Sequence, residues 1–161
     1  GRIARRGDIP LGYYKDPEKT ASTFVTDPKG VRWVLPGDWA RVEEDGTISL
    51  LGRGSQCINS GGEKIFPDEI ESVLAQHPEV RHAAIVGVPD PTWMERVVAL
   101  VEPRDPKAPP TLPEIQAHCR KLLAGYKLPR AMVITDLQRT ATGKVDYVWA
   151  RARAENASEA G

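Results

Sequence analysis

Residues 68–76 read Asp-Glu-Ile-Glu-Ser-Val-Leu-Ala-Gln, residues 80–88 read VRHAAIVGV and residues 96–101 read RVVALV; the order of these stretches decides the fold. Ile70, Val73 and Leu74 recur at i, i+3 and i+4, the stripe of an amphipathic helix, and its first turn is acidic. Pro67 and Asp68 suit its start and Pro78 its end. The two runs that follow are rich in β-branched residues and read as buried strands. Downstream, Thr111-Leu112-Pro113-Glu114 opens a second helix, with Ile115, Cys119, Leu122 and Leu123 on one face and Gly125 as its stop. Met132-Val133-Ile134 is a third strand. The expected class is α+β: a small β-rich subdomain, then a compact C-terminal domain whose short sheet is flanked by helices.

Upstream, the texture is short strands and turns. Asp16-Pro17-Glu18 has the cap, the first-position proline and the acidic turn of a short helix. Val31 to Leu35 is a strand candidate, and Asp45-Gly46 between residues 40–42 and 47–51 is a hairpin signal. Gly52-Arg53-Gly54-Ser55 breaks the hydrophobic pattern, so the expected domains are 1–53 and 54–151, with an alanine-rich tail over 152–161 read as frayed helix or disorder.

The chain has 161 residues, 40% of them hydrophobic, enough for one domain or two small ones. Lysine plus arginine and aspartate plus glutamate are 22 each, a balance that argues against a nucleic-acid binder driven by phosphate neutralisation. No apolar run approaches the roughly 18 residues needed to span a bilayer, and no signal peptide opens the chain. Gly1-Arg2-Ile3-Ala4 reads as mid-protein sequence. Cys57 and Cys119 fit no CxxC spacing and read as free thiols of a reducing cytosol. His77, His82 and His118 stand apart in sequence, so no metal is assigned. The expected location is cytoplasmic, with peripheral membrane attachment left open.

Three loops carry chemistry. Gly61-Gly62 between Ile58 and Ile65 suits either a plain hairpin turn or close approach of a ligand. Thr140-Ala141-Thr142-Gly143-Lys144 can offer hydroxyls, amides and one cation to a phosphate, or simply keep its lysine in water. Pro36-Gly37-Asp38 sets a carboxylate at a turn, where it can accept from a ribose diol or close an ordinary Asx turn.

Taken in order, Pro36-Gly37-Asp38, the Asp45-Gly46 hairpin, Gly52-Arg53, the tract Gly61 to Glu71, Val88-Pro89-Asp90-x-x-Trp93, Tyr126-Lys127-Leu128-Pro129-Arg130 and Thr140 to Lys144 resemble the C-terminal third of acyl-CoA synthetases of the adenylate-forming superfamily. The resemblance covers nearly the whole chain. It implies ATP-dependent activation of a carboxylic acid to an acyl-adenylate, then thioester formation with coenzyme A, as a small C-terminal domain swings about a hinge. It makes residues 1–53 the last β-rich subdomain of a large N-terminal AMP-binding domain. It makes Lys144 the adenylation lysine, Asp38 and Arg53 ribose contacts, and Ser55 the hinge. Gly61, Gly62, Glu63 and Lys64 would line the pantetheine path, and Trp93 and Arg130 would meet the nucleotide end of coenzyme A.

Four positions depart from the family pattern: Ser55 where aspartate or lysine is usual, Asn59, Met94 and Gln138. ATP and magnesium are expected to be held mainly by sequence upstream of Gly1, so the chain alone is expected to be inactive. The alternatives are an acyl-AMP ligase that hands its acyl group to a carrier protein, and a stand-alone binding or regulatory module.

Overall fold

The computed structural model describes residues 1–159, which fall into two compact units, Gly1–Ser55 and a second from Gln56 onward. The first holds helix α1 (Pro17–Thr23), strands β1 (Phe24–Thr26) and β2 (Arg32–Val34), and strands β3 (Asp38–Val42) and β4 (Ile48–Arg53). Asp16 caps α1 by accepting the Lys19 N–H at 2.9 Å. Each strand pair is antiparallel, and β3–β4 turns through Asp45-Gly46 as the sequence predicts. Ala40 is the one buried hydrophobic residue of this unit, whereas Val42, Ile48 and Leu50 on the same face of the hairpin are exposed.

The second unit contains β5 (Ile58–Ser60), β6 (Glu63–Ile65), α2 (Pro67–Leu74), β7 (Val80–Asp90), β8 (Met94–Pro103), α3 (Leu112–Cys119), β9 (Ala131–Ile134) and α4 (Tyr147–Glu159). The sheet runs β6-β5-β8-β7, all antiparallel, and β9 lies parallel to β8 with Val98 opposite Ala131. Alternate residues of β8 enter two cores. Val97, Ala99 and Val101 pack with Ile70, Leu74, Ile115 and Cys119 of α2 and α3; Val98 and Leu100 pack with Ala150 and Ala154 of α4. Burial on both faces explains why 97–101 reads as an unbroken apolar run.

Two elements differ from the sequence reading. Helix α3 stops at Cys119, short of Gly125, leaving Leu122 outside it and exposed. Helix α4 crosses the 151/152 boundary expected between domain and tail, because the residues that seat it are alanines, Ala150 and Ala154, both fully buried. Tyr147 and Trp149 pack beside them only in its first turn, so past residue 149 the seam has no large apolar residue to mark a helix in sequence. Positions 160 and 161 of the expected tail lie outside the described residues.

Candidate functional site

The β3–β4 hairpin sets the first pair of site residues. From its turn the register pairs Val42 with Ile48 and Ala40 with Leu50. Continued unchanged, it would bring Gly52 opposite Asp38. A bulge at Leu51 shifts it by one, so Arg53 faces Asp38 and its Nε lies 3.6 Å from the carboxylate. Both side chains reach water, so this ion pair adds little stability and stays available to a ligand. Gly54 follows, where a Cβ would stand 2.6 Å from Trp39 Nε1. Ser55 is exposed within a one-turn 3-10 helix (Gly54–Gln56).

In the second unit, Gly61 and Gly62 form the β5–β6 turn with φ of 60° and 88°, the two positive values of a type I′ hairpin. Gly61 also donates its N–H to the Trp93 carbonyl at 2.9 Å, and a Cβ on it would lie 2.8 Å from the Trp93 ring. Trp93 is fixed from its other side by Asp90, whose carboxylate accepts the Thr92 and Trp93 N–H groups. The Arg130 guanidinium stacks over the indole at 4.3 Å. Gly61, Trp93 and Arg130, distant in sequence, thus make one exposed platform of a π face and a cation. Glu63 and Lys64 extend from the same hairpin on β6, both exposed.

Lys144 sits on a hairpin of its own, closed by the Arg139–Val145 bridge and by Thr140 N–H donating to the Lys144 carbonyl at 2.8 Å. Its side chain is exposed and makes no hydrogen bond or ion pair among the described residues. Trp93 and Arg130 stand where β8 begins, since Arg130 N–H bonds the Val97 carbonyl. The hairpin of Lys144 departs from Leu137, whose N–H reaches Glu102 where β8 ends. Five residues of strand, about 17 Å, separate Val97 from Glu102. The structure therefore joins Asp38 to Arg53 in the first unit and, in the second, joins Gly61 to Trp93 and Arg130 while Lys144 stands on a separate hairpin.

Residues 69–144 match the family described as the AMP-binding enzyme C-terminal domain. The second unit is an AMP-binding enzyme C-terminal domain. Over 152 residues, 94% of its length, the chain is 55% identical to a medium/long-chain-fatty-acid–CoA/3-oxocholest-4-en-26-oate–CoA ligase of Mycolicibacterium smegmatis, of which it spans 27%. Among solved structures it resembles an amide bond synthetase of Marinactinospora thermotolerans (34% identity, TM-score 0.80, 95% of this chain and 30% of that one). It also resembles an o-succinylbenzoate CoA synthetase of Bacillus subtilis in complex with an acyl-adenylate intermediate (31% identity, TM-score 0.79, 90% of this chain and 29% of that one).

The AMP-binding domain also assembles groups that the sequence alone leaves separate. His77 and His118 meet edge to face with ring centroids 5.0 Å apart. Lys127 Nζ lies 2.6 Å from both Glu69 oxygens, tying the segment before β9 to α2. Glu71 accepts hydrogen bonds from Tyr147 and the Ile85 N–H, each at 2.8 Å. Nothing local marks Glu71, since an acid beside the apolar stripe of α2 ordinarily faces water. Among the described residues, no group of three or more His, Cys, Asp or Glu side chains is placed to hold a metal ion. No described helix is long and apolar enough to cross a membrane.

Proposed function

We propose that this chain is the C-terminal portion of an ATP-dependent acyl-CoA ligase. In this reading residues 1–53 complete a larger N-terminal AMP-binding domain, Ser55 is the pivot and residues 54–151 with the rest of α4 form the moving unit. The observation that carries it is Lys144, exposed and without a partner on a closed hairpin of an AMP-binding C-terminal domain. The substrate acid is a medium- or long-chain fatty acid or a sterol side-chain carboxylate, by likeness to the mycobacterial ligase.

The acid attacks the α-phosphorus of ATP and displaces pyrophosphate; the coenzyme A thiol then attacks the acyl carbonyl and displaces AMP. Asp38 accepts hydrogen bonds from the ribose hydroxyls while Arg53 steadies its carboxylate. Lys144 brings a cation to the charge that builds on the phosphate and carboxylate oxygens, the electrostatic contribution that dominates such transfers. The Gly61-Gly62 turn leaves room for the thin pantetheine arm, bordered by Glu63 and Lys64. Trp93 and Arg130 offer a stacking face for the adenine and a cation for its phosphates. Magnesium accompanies ATP and is held mainly by the N-terminal part, and the enzyme works in the cytoplasm.

The test is a longer protein containing this chain, supplied with ATP and a long-chain or sterol acid, with pyrophosphate release and acyl transfer measured separately. Acyl-CoA formation is expected. Acyl transfer to a phosphopantetheinyl carrier in preference to coenzyme A would replace the ligase reading with that of an acyl-AMP ligase, and transfer to an amine would replace it with amide synthesis. Pyrophosphate release by the 161-residue chain alone would overturn the reading.

A further inference from the structure

Glu71 is a carboxylate in the half-buried seam between α2, β7 and α4. Both of its oxygens accept the Tyr147 phenol at 2.8 Å, and one also accepts the Ile85 N–H at 2.8 Å. β7 pairs only with β8, so that N–H belongs to an open sheet edge and Glu71 closes it. Burial raises the carboxyl pKa, and burial beside Glu71 drives the phenol far above its ordinary range. Such a pair is an expensive way to fill space: two apolar side chains would pack there with no desolvation cost. What it adds is direction, because its hydrogen bonds fix one orientation of one residue.

That residue is the first of α4 and stands three positions after Lys144. Between them, Asp146 donates its N–H to the Gln138 carbonyl at 2.9 Å, closing the base of the Lys144 hairpin. The Asp146 carboxylate accepts the Val148 and Trp149 N–H groups at 3.0 and 3.1 Å and starts the helix. Adjacent residues thus tie α2 to the hairpin that carries the lysine: Tyr147 bonds Glu71, and Asp146, joined to it by the peptide bond, bonds Gln138. We infer that Glu71 and Tyr147 are positioning residues for Lys144: they lock the root of its hairpin onto the sheet and so set where the ammonium group reaches.

The inference rests on the adenylation role proposed for Lys144, so its test has one arm that does not depend on activity. In the 161-residue chain, Tyr147→Phe removes one hydroxyl and keeps the ring. Amide hydrogen exchange at Thr140 and Gly143, whose N–H groups close the hairpin, is expected to quicken by about tenfold, the loss of one hydrogen bond to a charged acceptor. The β7–β8 ladder is expected to keep its protection. Unchanged exchange in the hairpin, or an equal rise throughout the domain, overturns the inference.

In the longer protein the same variant is expected to lower kcat for acyl-adenylate formation with KM for ATP unchanged. Thioester formation from supplied acyl-adenylate stays at the wild-type rate. Equal loss in both half-reactions also overturns the inference. A wild-type protein that makes no acyl-adenylate defeats the proposed function instead, and the exchange measurement then decides the positioning role alone. Glu71→Gln, which keeps an acceptor for the phenol, is expected to restore hairpin protection more fully than Glu71→Ala.

Discussion

The ring of His118 meets that of His77 edge to face, 5.0 Å between centroids, joining α3 to the turn that follows α2. Hydrogen bonds on each ring fix the proton positions. His118 Nε2 lies 3.1 Å from the Val73 carbonyl and so carries hydrogen, while His77 Nδ1 accepts the Glu79 N–H at 3.3 Å and so does not. Protonating His77 would turn that acceptor into a second donor.

Acid should therefore loosen this contact. Burial lowers the His77 pKa first and His118 lowers it further, with Lys121 acting the same way and Glu79 and Glu114 opposing. The folded value lies below the unfolded 6.5, so the contribution is fully present above 6.5 and is lost as pH falls through the folded value. Glu71 has the opposite sign, since its folded pKa is raised and stability is gained as pH falls toward 4.5. Thermal unfolding of wild type against His77→Asn between pH 7.5 and 5 should isolate the histidine. The wild type is expected to lose more of its Tm than the variant as pH falls from 7.5 to 5. Identical pH profiles would contradict the assigned tautomers.

Gly61→Ala should disturb the platform. Its φ of 60° costs an L side chain about 1–2 kcal/mol, and the new methyl meets the indole at 2.8 Å. Trp93 fluorescence should shift, and in the longer protein KM for coenzyme A should rise while adenylation is spared. Gly62→Ala shares the positive φ but meets nothing within 4 Å, so it should destabilise without moving the tryptophan.

Lys144→Gln, or acetylation of the same ammonium, removes a charge that no described residue uses. Tm should stay within about 1 °C of wild type, as for other exposed substitutions. Acyl-adenylate formation should fall about 10²–10³-fold, while thioester formation from supplied acyl-adenylate persists. Loss of both half-reactions together would remove Lys144 from its assigned role.

The alanine seam of α4 leaves no room for larger side chains. Ala150→Leu should cost about 1–3 kcal/mol in denaturant unfolding, whereas the exposed Ala152→Leu should be nearly neutral. Equal effects would mean that α4 does not seat through Ala150.

The elements that the sequence announces are those whose signal is large and local. Ile70, Val73 and Leu74 mark α2, the Val-rich runs mark β7 and β8, and Asp45-Gly46 marks its hairpin. Of α4 the sequence suggests only a frayed helix or disorder over its second half, because Ala150 and Ala154 supply close contact rather than hydrophobic bulk. The site divides in the same way. Each glycine turn and each charged residue can be seen singly, but their partnerships cannot. Arg53 reaches Asp38 through a bulge that no local motif predicts, and Arg130 reaches Trp93 only because β9 runs parallel to β8. The Glu71–Tyr147 and His77–His118 contacts span 76 and 41 positions of chain, beyond any periodicity.

The lysine hairpin and the tryptophan–arginine platform are rooted at different points of β8, Glu102 and Val97. A strand is stiff, and with both faces packed it does not fold back on itself. Bending the strand cannot bring Val97 and Glu102 to one spot, so in the ligase reading proposed above each group would be presented by turning the unit as a body. In that reading, one stiff strand would then set the order in which the two half-reactions are served.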